Sequence, residues 1–201
     1  MSTSIAILSG SPSAASRSDA LLRRASHRLR AAGTDIRIIE ARRVPADELL
    51  GRSLRGTYLD GALHDIERAA AVVVATPVYK ASFSGLLKAF LDLLPHEALK
   101  GKSVLPFATG GSAAHLLVLD YALRPVLAAL GAYPVLPSVY ATDAQIKLSP
   151  DAEATIESAL GARLDEGVDQ LLASLDVLQP APLRTRAPLR ASASFSLLPT
   201  D

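Results

Sequence analysis

Short apolar runs and amphipathic stripes alternate along the chain. Ile5-Ala6-Ile7-Leu8 predicts a buried strand that empties into the turn-prone segment Ser9-Gly10-Ser11-Pro12. A helix follows, with Ser16 or Ser18 as its cap, Leu21, Leu22, Ala25 and Leu29 on its inner face, and Gly33 as its C′ residue. Residues 35 to 39 predict a second, partly exposed strand. Pro45, Gly51 and Gly56 break the pattern over residues 42 to 58, which predicts an irregular connection with one turn around Asp47 to Leu50. A helix over Asp60 to Ala70 then feeds Ala71-Val72-Val73-Val74-Ala75, whose three β-branched residues are the pattern of a central parallel strand covered on both faces. Pro77 is expected to end that strand and Thr76 to Ser82 to form a loop. Phe83, Leu86, Leu87, Phe90, Leu91 and Leu94 recur at helical spacing, so a helix is predicted from Phe83 until Pro95 closes it.

The same alternation continues. Lys102 to Phe107 predicts a fourth strand opening into Ala108-Thr109-Gly110-Gly111-Ser112; His115 to Leu130 predicts a helix, and Val135 to Tyr140 a fifth strand. A last helix is expected from Ser149-Pro150-Asp151, which offers a cap, a proline at the first helical position and an early acid. Ile156, Leu160, Leu164, Val168, Leu171 and Leu175 form its inner face. Five strands alternating with helices predict an α/β three-layer sandwich around a five-stranded parallel sheet in the flavodoxin-like order 2-1-3-4-5. Residues 1–178 form one domain on this reading. From Gln179 the pattern stops, and residues 179–201 read as a Pro/Arg-rich tail that is disordered or loosely attached.

Composition narrows the function. A chain of 201 residues with 49% apolar content encloses a sizeable single core. Its net charge of +1, with both signs interspersed, gives neither a nucleic-acid footprint nor a polybasic membrane anchor. The absence of cysteine excludes disulfides, thiolate catalysis and Cys-ligated metal centres. His27, His64, His96 and His115 are scattered, so no metal site is expected. No secretory signal pattern and no run of the ~18 apolar residues needed to cross a bilayer is present, which predicts a cytoplasmic location.

If strands one, three and four are adjacent, the loops Ser9 to Ser18, Thr76 to Ser82 and Thr109 to Ser112 emerge at one sheet edge, where open α/β sheets bind ligands. The first offers Ser11, Ser16 and Ser18 hydroxyls, N–H groups at a helix start and the Arg17 guanidinium, a set that suits a terminal phosphate. A well-capped helix with a solvated arginine fits the same residues. Neither a P-loop nor a Gly-x-Gly-x-x-Gly turn is present, which disfavours a dinucleotide fold and leaves a mononucleotide. Pro77-Val78-Tyr79 and Thr109-Gly110-Gly111 can flank a flat ring, Gly110 and Gly111 permitting close approach. Tyr79 as an ordinary surface aromatic and Lys80 as a solvated charge remain open alternatives. No catalytic triad or suggestive carboxylate pair can be assembled, so no catalytic side chain is assigned and the chemistry falls to a cofactor.

Ser9-Gly10-Ser11-Pro12 with Ser16-Arg17-Ser18, Thr76-Pro77-Val78-Tyr79-Lys80, Ser84-Gly85-Leu86-Leu87-Lys88, Thr109-Gly110-Gly111 and Asp120-Tyr121-Ala122-Leu123-Arg124-Pro125 make the chain resemble the NADPH-dependent FMN reductases of the flavodoxin-like superfamily. Within that family it is most similar to the reductase components of two-component alkanesulfonate monooxygenase systems, over about Ile5 to Gln145. The resemblance implies reduction of FMN, as substrate or loosely bound, by NADPH or NADH through hydride transfer between stacked rings. It also implies release of reduced flavin to an FMNH2-dependent monooxygenase that desulfonates alkanesulfonates for sulfur assimilation. By the same resemblance Ser11, Arg17 and Ser18 hold the phosphate, Pro77, Val78 and Tyr79 the ribityl and ring edge, Thr109, Gly110 and Gly111 the isoalloxazine, and His115 lies near the ring. The chain departs from the family pattern after Tyr140, where Thr142-Asp143-Ala144 stands in place of a more acidic segment. An FMN-retaining quinone or azo reductase and a flavodoxin-type electron carrier are the competing functions; such carriers are usually strongly acidic, and a charge of +1 weighs against the second.

The stretch from His115 to Leu130 adds a prediction about assembly. It is apolar on almost every side, so one face covers the sheet and the other needs a second copy, as a homodimer or homotetramer. Pro125 also deprives the Tyr121 carbonyl of its helical donor. Either a proline kink or a π-type widening at Tyr121 answers that loss, and the resemblance, whose members carry a tyrosine insertion here, ties the widening to the oligomer interface and flavin release.

Overall fold

A computed structural model describes residues 3–51, 57–149 and 154–178. The chain runs β1 (Ser4–Ser9), α1 (Arg17–Ala31), β2 (Asp35–Glu40), α2 (Ala46–Leu49), α3 (Thr57–Arg68), β3 (Ala71–Tyr79), β4 (Ser82–Phe83), α4 (Gly85–Leu91), β5 (Ser103–Gly110), α5 (Arg124–Ala129), β6 (Val139–Thr142), β7 (Ile146–Lys147), β8 (Thr155–Ile156) and α6 (Ser158–Leu178). The parallel strands lie in the order β2-β1-β3-β5-β6, the flavodoxin-like arrangement, with β4 added antiparallel to β3. The expected tail, 179–201, lies outside the described residues.

Strand alternation divides the interior in two. Ala6, Leu8, Val72, Val74, Val104 and Ala108 face the α3 and α4 side, where Leu59, Ile66, Leu87 and Phe90 are buried. Ile5, Ile7, Val73, Leu105 and Phe107 face α1 and α6, against Leu21, Leu29, Leu164 and Leu171. Each strand therefore has apolar residues on both faces, as a sheet covered by helices on both sides requires.

Four expectations around β3 and β5 are corrected. Pro77 does not end β3. Pairing with β1 stops at Ser9↔Ala75, where the Gly10 N–H still reaches the Ala75 carbonyl, so the Pro77 nitrogen faces a side with no strand left to bond. Pairing to β5 continues through Pro77↔Thr109, which makes Thr109 and Gly110 strand residues rather than loop. β3 then turns back through Lys80-Ala81 into β4, with Tyr79 opposite Ser82 and φ of 50° and 61° at the two turn residues. Phe83 thus belongs to a hairpin, and α4 starts at Gly85 with Ser84 as its cap, the Ser84 Oγ accepting from Leu87 N at 3.1 Å.

The predicted strand Val135 to Tyr140 is interrupted. Val104 donates to the Pro134 carbonyl and accepts from Leu136 N, yet the next β5 residue facing that edge, Pro106, has no N–H. Pairing resumes at Phe107↔Val139, so three steps along β5 face four along its neighbour, a one-residue bulge. The predicted helix His115 to Leu130 is likewise not continuous. A short 3₁₀ turn at Ala113–His115 leads to a π-helical turn at Leu119–Leu123, where Arg124 N reaches back five residues to the Leu119 carbonyl, and only then to α5. The last helix starts at Ser158, because Ile156 pairs with Ile146 in the β7–β8 hairpin. Of the start expected for that helix, Pro150 and Asp151 lie outside the described residues.

Candidate functional site

The carboxyl ends of β1, β3 and β5 deliver three segments to one place. Ser9, Ser11 and Ser18 are buried where β1 turns into α1, and Ser16 caps that helix by accepting from Asp19 N at 3.0 Å. The turn is braced from beneath. Ser9 Oγ donates to Asp19 Oδ1 at 2.5 Å and accepts from Ser11 N at 3.3 Å, and the other Asp19 oxygen accepts from Arg42 at 3.2 Å. Arg42 is itself paired with Glu40 at the end of β2. Buried carboxylates persist where they are paired and hydrogen-bonded, and Asp19 meets both conditions.

The other two segments lock onto the first. Ser84 Oγ donates to the Gly10 carbonyl at 2.6 Å, while Thr76 Oγ1 accepts from Ser84 N at 2.9 Å, which holds the β3–β4 hairpin against the first turn. Ser18 Oγ and Thr109 Oγ1 lie 2.8 Å apart and tie α1 to the end of β5. Tyr140 on β6 donates its hydroxyl to the Ser112 carbonyl at 2.7 Å. Burial, with the Asp143 carboxylate nearby, raises that phenol above the ordinary tyrosine range.

Between these segments lies a shallow cavity of about 260 Å³. Ser11, Arg17, Ser18, Pro77, Val78, Tyr79, Thr109, Gly110 and Gly111 all line it, joined by Ser13, Ala15, Ser16, Asp143 and Leu148. His115, half-buried, and Tyr121, exposed, lie outside that lining. Larger depressions exist between α1 and β8 and between α3 and the chain after α4, at about 510 and 540 Å³. Neither sits at the carboxyl ends of the parallel strands, where backbone donors point outward.

The lining suits a flat ring carrying a phosphate. Gly111 is open, since a Cβ there would meet nothing within 4 Å, and Tyr79 and Leu148 stand exposed at the rim with an aromatic and an aliphatic face. Gly110 has a different reason to be glycine: a Cβ would lie 2.3 Å from the Tyr140 hydroxyl and 3.4 Å from Val78 Cβ, so its hydrogen serves packing within the sheet. Arg17 Nε donates to the Ile146 carbonyl at 3.2 Å, and its NH1 lies 3.5 Å from Asp143. Asp19, Arg42, Tyr140 and Leu148 are given no role at the site by the sequence reading, and Ser84 and Asp143 enter it only as members of longer motifs. Only Asp19 left a signal, an acid in the first turn of α1, and that has a sufficient explanation in the helix dipole. Among the described residues no group of three His, Asp or Glu is arranged for a metal ion, and no helix is long and apolar enough to cross a membrane.

Comparison with known proteins gives the same picture. Residues 3–146 match the family described as NADPH-dependent FMN reductase. Over 163 residues the chain is 42% identical to an FMN reductase (NADPH) of Pseudomonas putida, covering 81% of this chain and 83% of that protein. Over 160 residues it is 41% identical to an FMN reductase (NADPH) of Escherichia coli K12, covering 76% and 84%. A solved apo form of an NADH:FMN oxidoreductase, EMOB, aligns with a TM-score of 0.77 at 39% identity, over 86% of this chain and 90% of that one. The chain belongs to the NADPH-dependent FMN reductase family. It is an oxidoreductase of the flavin reductase class, acting with FMN and a reduced nicotinamide.

Proposed function

We propose that FMN is an exchangeable substrate of this enzyme, reduced by NADPH or NADH and then released, in the cytoplasm, to a partner FMNH2-dependent monooxygenase of the alkanesulfonate-desulfonating kind. The observation that carries this reading is the openness of the site: a cavity of about 260 Å³ with Tyr79, Gly111 and Leu148 exposed at its rim supports exchange rather than enclosure of a flavin. In this reading Ser11, Arg17 and Ser18 form the phosphate end, Pro77, Val78 and Tyr79 flank the ribityl and ring edge, and Thr109, Gly110 and Gly111 lie under the isoalloxazine, with His115 close by. FMN supplies the redox chemistry; the chain's own groups bind and orient it.

The test is a spectrophotometric assay of NADPH and NADH oxidation with and without added FMN, FAD and riboflavin. The expected result is a colourless purified protein that oxidises nicotinamide only when free flavin is present, FMN best. A yellow protein that reduces quinones without added flavin would instead establish an FMN-retaining reductase. Supply to a partner is read as sulfite release when the enzyme is mixed with an alkanesulfonate monooxygenase.

Assembly as a homodimer or homotetramer belongs to the same proposal. Leu116, Leu117 and Tyr121 are 50%, 54% and 78% exposed within one short stretch, an apolar patch that a second copy would cover. Light scattering at micromolar concentration checks it.

A further inference from the structure

We propose that Asp143 lowers the affinity of this site for phosphate-bearing flavins by competing with the phosphate for Arg17. The inference rests on the reading above, that FMN binds with its phosphate at the β1–α1 turn. Among the described residues lining the cavity, Arg17 and Asp143 are the only two that carry full charges, and they are paired with each other.

Their placement sets up the competition. Arg17 is the first residue of α1, beside the Ser16 cap, so its guanidinium shares the helix-start region with the donors that suit a phosphate. It is turned across the cavity: NH1 lies 3.5 Å from Asp143 Oδ2, and Nε donates to the Ile146 carbonyl at 3.2 Å. Asp143 opens the short turn after β6. That turn is held by Gln145 Oε1, which accepts from Thr142 N at 3.0 Å and from Thr142 Oγ1 at 3.3 Å, so the carboxylate is presented on a fixed support. Both side chains are part-exposed, 37% and 45%, and therefore able to exchange partners.

A phosphate entering here meets a cavity of zero net charge. A phosphate that takes the guanidinium donors on the Asp143 side competes with that carboxylate for them and then sits beside it. Both effects act on the phosphate and neither acts on the ring. Asp143 is thus a specificity-determining residue that holds FMN affinity down and narrows the preference for FMN over riboflavin, which favours exchange of the flavin.

Fluorescence titration of FMN and of riboflavin into the full chain tests this without turnover. Asp143→Asn is expected to lower the FMN Kd about fivefold, the ratio that corresponds to a part-exposed ion pair of ~1 kcal/mol, and to leave the riboflavin Kd unchanged. Asp143→Ser, which also drops the charge, should reproduce the gain; Asp143→Glu, which keeps it, should not. In an Arg17→Ala background the gain from Asp143→Asn should shrink to less than half. Equal gains for FMN and riboflavin, or no gain for FMN in either uncharged variant, overturn the proposal while leaving the site reading in place, provided Arg17→Ala still weakens FMN selectively. If Arg17→Ala leaves the preference for FMN over riboflavin unchanged, the phosphate is not at this turn, and both the site reading and the proposal fall.

Discussion

Ser18 Oγ and Thr109 Oγ1 sit 2.8 Å apart in the interior, joining the first turn of α1 to the carboxyl end of β5. Ser18 is fully buried and Thr109 is 4% exposed, so the bond is largely shielded from water and ties the β1–α1 turn to the glycine segment. Ser18→Ala leaves the Thr109 hydroxyl buried without this partner. A loss of about 1–3 kcal/mol is expected, read as a lower urea midpoint at unchanged m-value. A midpoint equal to wild type would show that Thr109 finds another partner at no cost.

Gly110 and Gly111 differ sharply despite their adjacency. An alanine Cβ at Gly110 would fall 2.3 Å from the Tyr140 hydroxyl, which is pinned to the Ser112 carbonyl and cannot retreat freely. Gly110→Ala is expected to cost about 1–3 kcal/mol by overpacking. Tyr140→Phe removes the clashing oxygen and should restore part of that loss, so a double-mutant cycle should give a clear coupling. Gly111→Ala meets no atom within 4 Å and serves as the neutral comparison. Additive behaviour of Gly110→Ala and Tyr140→Phe would argue that β5 shifts instead.

Tyr140 also predicts a pH dependence. Burial, reinforced by Asp143, raises its pKa in the folded chain above the ordinary value of about 10. The folded state therefore keeps the phenol proton after the unfolded chain has lost it. The stability linked to this group is fully present below the unfolded pKa and is lost as pH rises through the folded one. Urea midpoints measured from pH 8 to 11 should fall more steeply above about pH 10 for wild type than for Tyr140→Phe. Parallel curves would mean that Tyr140 titrates in the fold as it does in the open chain.

The framework was legible because β-branched runs and helical stripes alternate along most of the chain, which predicts parallel strands covered by helices. The ends of the elements were not. Pro77 looks like a terminator in one dimension, and only the early end of β1 beside it shows why β3 can continue. Lys80-Ala81 lacks the Asn-Gly or Asp-Gly pattern of a two-residue hairpin, so positive φ at both residues could not be anticipated. The bulge opposite Pro106 depends on which backbone groups of β5 face the neighbouring strand. Nine candidate residues reach one cavity because each lies at or beyond the carboxyl end of a strand whose position the sheet order dictates. Asp143 and Leu148 follow the interrupted edge strand, where register was out of reach of pattern reasoning.

The π-helical turn at Leu119–Leu123 carries the last prediction. Arg124 holds the turn in place: its Nε donates to Asp120 at 3.2 Å and its NH1 to the Val135 carbonyl at 2.9 Å, which fastens the widened backbone to the sheet edge. Tyr121 projects from the middle of that turn with 78% of its surface exposed, so it contributes little to the stability of one chain. In the proposed assembly a second copy covers it, and removing it is expected to change flavin handling through that copy. Widened turns of this kind cluster at functional sites, and here the turn adjoins the exposed Leu116 and Leu117. Tyr121→Ala is expected to keep its unfolding free energy within about 0.5 kcal/mol of wild type, to purify yellow with retained flavin, and to lose transfer of reduced flavin to a monooxygenase. Visible absorbance after gel filtration and sulfite release in the coupled assay measure the two effects. A colourless Tyr121→Ala variant with unchanged turnover of free FMN would show that the widened turn shapes the backbone and has no part in release.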